Sequence, residues 1–172
     1  RVINVWQGGL FMKKWFAAAA AATVCLGCAW HFLYDWCPHF LVGLFAPVNE
    51  SVWEHLKLLF WPVIPAALVL GRRWGERRVW SAFLAALLAM PVALCAIYYL
   101  AAAGFGLHGL ALDIGLYAGT VCAGFWAAFR WSSARRLERR LGELLMLAGL
   151  YGCALVLFTL EAPPLPIFMP PA

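Results

Sequence analysis

The sequence predicts an all-α fold: a polytopic membrane helix bundle of five transmembrane helices, with its N-terminus in and its C-terminus out. Three observations predict it. Of 172 residues, 65% are hydrophobic and 12% charged, whereas a soluble domain is nearer half apolar and a quarter charged. Five apolar runs have close to the ~20 residues that a helix needs to cross a bilayer. The basic residues fall in short clusters between those runs. No strand alternation is present to suggest a barrel.

The runs are Trp15–Tyr34, Val52–Leu70, Val79–Leu100, Gly109–Phe129 and Leu141–Leu160. Pro62, Pro65 and Pro91 lie inside runs. They are expected to kink helices rather than end them, because neighbouring helices re-satisfy the freed backbone groups. Eleven Lys and Arg residues lie at the Met12 end, between runs two and three, and between runs four and five; Lys57 alone lies on the other side. The positive-inside rule then sets the orientation. Glu76, Glu138 and Glu143 sit among these arginines as surface ion pairs. A net charge of +5 arranged this way is a topology signal. With no basic face interleaved with stacking aromatics, it does not indicate nucleic-acid binding.

Met12-Lys13-Lys14 before an apolar run reads as a bacterial membrane-protein start. Gln7-Gly8-Gly9 can be encoded by a purine-rich ribosome-binding sequence. Residues 1–11 are therefore expected to be translated leader outside the fold, and residues 12–172 a single five-helix domain of a bacterial plasma (inner) membrane. Leu26-Gly27-Cys28 weakly suggests a lipoprotein signal, but the chain stays apolar through Tyr34, which favours a retained helix. Cys25 and Cys28 form C-x-x-C without a companion His or acid, and are read as small residues that let helices approach. Trp15, Trp36, Trp53, Trp80 and Trp131 read as interface anchors. The Pro-rich segment from Ala162 reads as extended chain.

The outer half should be nearly free of charge, yet it gathers His31, Asp35, His39, Asn49, Glu50, Ser51, Glu54, His55, Lys57, His108, Asp113 and Glu161. Ionisable groups at membrane depth are costly, so they face an interior cavity and mark function. The candidate polar cluster is Glu50, Glu54, His55, Lys57, Asp113, His31, Asp35 and Asn49. His31 and Asp35 are four apart and share a helix face. Glu50, Glu54 and Lys57 follow i, i+4, i+7, which sets Lys57 about 10 Å below Glu50. Glu54, Glu50 and Asp113 are candidate partners for Lys57, and Asp113 is also a candidate for a bound cation. Ser51-x-x-Glu54 is a capping box, with Asn49 a second capping candidate. A buried ion-pair network that only holds helices in register explains the same residues.

The string from Leu44 to Phe60, centred on Pro47-Val-Asn-Glu-Ser-Val-Trp-Glu-His-Leu-Lys57, resembles the signature of a family of small bacterial integral-membrane proteins of unknown function. His31-Phe-Leu-Tyr-Asp-Trp36, Asp113, and Thr159 with Pro163-Pro164 match its weaker features. The resemblance implies the membrane fold and no chemistry.

Three functions follow as expectations. One is a membrane enzyme using metal or acid/base chemistry on a lipid-like substrate, with Glu50, Glu54, His55 and Asp113 as candidate ligands for a divalent metal. The second is an ion, proton or small-solute binding subunit of a transporter or channel, which at five helices without a repeat requires a homo-oligomer or a membrane partner. The third is a structural or partner-binding module. The lipid bilayer is the expected partner in all three.

Overall fold

The structure is a computed structural model that describes residues 2–170, with side chains described from Leu10 onward except that of Glu76. Among the described residues the regular structure is helical: α1 (Val2–His31), α2 (Leu33–Trp36), α3 (Phe40–Phe45), α4 (Val52–Phe60), α5 (Val63–Trp74), α6 (Glu76–Tyr99), α7 (Leu110–Trp131), α8 (Arg135–Arg139) and α9 (Leu141–Leu160). A π-turn at Leu100–Gly104 extends α6, and a 3-10 turn covers Pro166–Phe168. Five stretches are long and apolar enough to cross a membrane: Leu10–His31, Val52–Trp74, Arg77–Gly104, Leu110–Trp131 and Leu141–Leu160.

Helix α6 is central and packs against α5, α7 and α9, while α1 lies against α4, α5 and α7. The core is built from Leu59, Val63, Leu70, Val79, Val121, Phe125 and Leu155, all nearly inaccessible. Phe16, Phe83 and Phe125 form an aromatic column, with ring centroids 5.5 and 5.0 Å apart. Outward-facing positions are also apolar, among them Val92, Trp126, Met146 and Leu150. Such a surface suits a chain solvated by lipid, in which packing rather than hydrophobicity drives helix association.

Packing turns on small residues. A Cβ placed on Gly27 would overlap the Tyr117 hydroxyl, and one on Gly152 would press on the Phe60 ring. Gly27 is therefore where α1 and α7 meet closely. Cys25 and Cys28, expected as the small residues of close approach, are both exposed, and the tight contact falls on Gly27 between them.

The prolines interrupt the helices only locally, most of all at Pro62. Run two is divided at Trp61-Pro62 into α4 and α5, although Trp61 N still donates to Lys57 O at 3.0 Å. Pro65 sits in the first turn of α5, where a missing N–H costs nothing. Pro91 lies within α6 without ending it. The π-helical turn closes at Gly106, at φ +65°, which donates to Ala102 O, while Leu107 donates to Ala101 O.

The C-terminal segment is not simply extended. Its 3-10 turn folds back so that Phe168 packs on Trp53 and Phe158, with centroids 4.8 and 5.4 Å apart. Trp53 is thereby half-buried rather than a free interface anchor; Trp15, Trp36 and Trp131 are exposed. Of the expected leader, Arg1 and the side chains of residues 2–9 lie outside the described set. Leu10 and Phe11 continue α1, and the Phe11 ring lies 6.2 Å from Trp15 and 6.4 Å from Trp74.

The bundle thus has two chemically different ends. The arginine end carries the α1 lysines, the α5–α6 junction and α8. The histidine end carries the C-terminus of α1, the segment from α2 to the start of α4, and the C-terminus of α9.

Candidate functional site at the histidine end

Ser51 starts α4. Its Oγ accepts from Glu54 N at 3.3 Å, which is half of a capping box. The other half is replaced: Asn49 Oδ1 accepts from Ser51 N at 2.9 Å. Glu54 is thereby free to turn inward. Its Oε2 accepts from Val48 N at 2.9 Å and from Lys57 Nζ at 2.6 Å, and its Oε1 lies 3.0 Å from Thr159 Oγ1 on α9. The Thr159 hydroxyl has one proton and a second acceptor, Leu155 O at 2.9 Å, so it serves one of the two at a time.

Lys57 has no solvent exposure. Its ammonium donates to Gly43 O at 2.8 Å and Ala46 O at 3.1 Å as well as to Glu54. Three donors meet three oxygens, which is the condition under which a buried charge is tolerated. The pair is also a fastener: through Gly43, Ala46 and Val48 it ties the segment before α4 onto the helix that follows.

A second group faces outward. His55 Nδ1 lies 2.8 Å from the carbonyl of Ser51, one turn back. A carbonyl only accepts, so Nδ1 carries a proton, and in the neutral ring Nε2 then presents its lone pair. His31 Nε2, from the last turn of α1, lies 3.1 Å from that atom. Glu50 Oε2 lies 3.4 Å from His55 Nε2 and 3.7 Å from His31 Nε2. All three donor atoms fall within 4.8 Å of one another. The histidine side chains are 25% and 31% exposed and the glutamate 66%, so the trio is held by the protein yet open to solvent. His31 Nδ1 is buried without a partner, and the Phe32 ring packs 5.1 Å from the imidazole.

The expected eight-residue cluster is therefore two clusters and two outliers. Glu54 and Lys57 form the inner pair, joined by Thr159, which stood among the family-like features but not in the expected cluster. His31, Glu50 and His55 form the outer trio, with Asn49 holding the turn between them. Glu50 does not share a helix face with Glu54 and Lys57, because it precedes α4 and points to the histidines. Asp35 does not pair with His31: α1 ends at His31, and Asp35 sits exposed on α2. Asp113 is exposed in the first turn of α7 and makes no hydrogen bond or ion pair among the described side chains, so the partner of Lys57 is Glu54. His39 caps α3 by accepting from Leu41 N, and His108 and Glu161 are exposed.

Two imidazole nitrogens and one carboxylate oxygen are a donor set suited to zinc or a similar cation. A tetrahedral zinc with bonds of about 2.0–2.1 Å separates its nitrogens by about 3.3 Å, close to the 3.1 Å between the two Nε2 atoms. The carbonyl behind His55 is the kind of outer partner that fixes a ligand's tautomer and ring orientation. Glu54 and Asp113, named as ligands from sequence, lie outside this trio, and His31 stands in it instead.

No curated protein and no solved structure matches the chain. Residues 6–171 match the profile of DUF6512, a family of unknown function, and the chain belongs to that family.

Proposed function

We propose that the chain is a multi-pass protein of the bacterial plasma membrane, with its arginine end cytoplasmic, that holds a divalent cation of the zinc class on His31, His55 and Glu50. On this reading it is a metal-dependent membrane enzyme acting on a lipid-like substrate. The observation that carries the proposal is the orientation of His55: its Nδ1 is committed to Ser51 O, so its Nε2 lone pair is aimed at the atoms of His31 and Glu50. Three protein ligands leave coordination positions open, as in catalytic rather than structural zinc sites. The cation supplies Lewis acidity and acidifies water. The trio lies where the apolar stretch of α1 ends and that of α4 begins, beside exposed Phe32, on which exposed Trp36 stacks. A lipid headgroup reaches that depth. All three donors of Lys57 are taken and Glu54 is held by Val48 N and Lys57, and we read the pair as structural.

Titration of the purified, metal-stripped protein in detergent with Zn²⁺ against a chromogenic chelator tests the proposal. One equivalent should bind. His31→Ala and His55→Ala should each lose it, and Asp113→Asn should keep it. No uptake by the wild type, or full uptake by the double His variant, would remove the metal and with it the enzyme reading. Mass spectrometry of lipid mixtures incubated with stripped and reloaded protein then tests for turnover.

A further inference from the structure

The arginine end carries a second feature, independent of the metal reading. Arg77 and Arg78 open α6; Arg135, Arg136 and Arg139 lie on α8, and Arg140 follows it. All six are exposed. Arg78 Nε donates to Ser132 O at 3.2 Å, which ties the start of α6 to the turn that leads from α7 into α8, and α6 and α8 are in contact. The segments that carry the six arginines are therefore brought together at one end of the bundle. Among the described side chains, one carboxylate contact relieves their charge: Arg140 Nη1 lies 3.7 Å from Glu143 Oε2, with both side chains at least 65% exposed. Trp131, a residue of the amphipathic type that settles at headgroup level, lies beside the turn and is exposed.

We propose that this surface binds the phosphate groups of anionic phospholipids. Crowded like charges repel one another, and an anion seated among them removes that cost. Guanidinium forks match phosphate oxygens in pairs, which an ammonium cannot do. The surface lies where the apolar stretches ending at Trp74 and Trp131 meet it, which is headgroup depth. Lipid phosphate is therefore presented to it at high local concentration. Coulombic attraction of this kind contributes about fivefold in affinity per arginine near an anionic surface and weakens as salt rises.

The test uses the full chain in nanodiscs. Tm is read in phosphatidylcholine, in phosphatidylcholine with phosphatidylglycerol added, and in phosphatidylcholine with inorganic phosphate. The wild type should be stabilised by several degrees in the anionic bilayer, less so at high salt, and not by inorganic phosphate. Arg77→Gln/Arg135→Gln/Arg136→Gln, which leaves the Arg78–Ser132 tie in place, should match wild type in phosphatidylcholine and lose most of the rise. An undiminished rise in that variant, or no rise in the wild type, overturns the proposal; a rise reproduced by inorganic phosphate replaces the lipid with a free anion. Native mass spectrometry of the wild type gives a reading that does not depend on the variant folding. Retained phosphatidylglycerol should exceed its share of the supplied lipid, and retention in the supplied ratio overturns the proposal.

Discussion

The two ends of the bundle handle charge in opposite ways. At the arginine end, eleven basic side chains stand exposed, with one carboxylate contact at 3.7 Å among the described side chains. At the histidine end the single basic residue, Lys57, is completely buried and has an oxygen within 3.1 Å for each of its three donors. Exposed charges are stabilised by water, salt and headgroups, so each contributes little to folding and is free to bind from outside. A buried charge has only the protein, so its partners must be complete, and any one lost leaves a cost. The difference predicts where substitutions hurt.

The largest effect should come from Lys57→Met. It leaves Glu54 buried with its charge uncompensated, and breaking such a pair from one side costs about 3–5 kcal/mol. Chemical unfolding in detergent should show that loss. Adding Glu54→Gln should recover part of it, since coupled partners are non-additive by about 0.5–3 kcal/mol. Asp113→Asn should recover none, because Asp113 is exposed and away from the pair. Recovery through Asp113 would redraw the inner cluster.

A middle-sized effect should separate the inner pair from the outer trio. Ser51 caps α4 with its hydroxyl and orients His55 with its carbonyl. Ser51→Ala removes the first and keeps the second. It should cost about 1 kcal/mol of stability, the usual cap value, while Zn²⁺ affinity stays within a few-fold of wild type. A large fall in affinity at unchanged stability would mean that the hydroxyl, not the carbonyl, organises the trio.

These contrasts also mark what the sequence could and could not say. The five stretches were legible because a membrane helix must be long and apolar, and the lone lysine among acids stood out for the same reason. The break at Trp61-Pro62 was not legible, since Pro62 is equally compatible with a kink. Lys57 had three candidate acids, and the choice among them depends on where α7 begins relative to α4, a tertiary fact. Two of its three partners are backbone carbonyls, Gly43 and Ala46, which leave no side-chain signature. Helical periodicity grouped Glu50 with Glu54 because it assumes that the helix has already begun. Asn49 and Ser51 start it at Val52, two residues after Glu50, and the delay sends Glu50 to His31 and His55. Thr159 was marked only by the family resemblance, and its place beside Glu54 was not legible, since a threonine late in an apolar helix usually bonds its own backbone, as this one also does with Leu155.

The smallest effect should be at the arginine end, and it is the sharpest control on the comparison. Glu143 pairs with Arg140 across one helical turn, with 65% and 70% of their side chains exposed. Such pairs contribute about 0–1 kcal/mol, because water already solvates both ions and two long side chains lose freedom to meet. Glu143→Gln should therefore leave unfolding nearly unchanged, and what change there is should vanish as salt rises. The same substitution removes the described carboxylate that competes with lipid phosphate for Arg140, so retention of anionic lipid should stay level or rise. A loss comparable to that of Lys57→Met would show that the arginine end is organised as tightly as the histidine end. In that case burial, rather than the identity of the charges, would no longer distinguish the two.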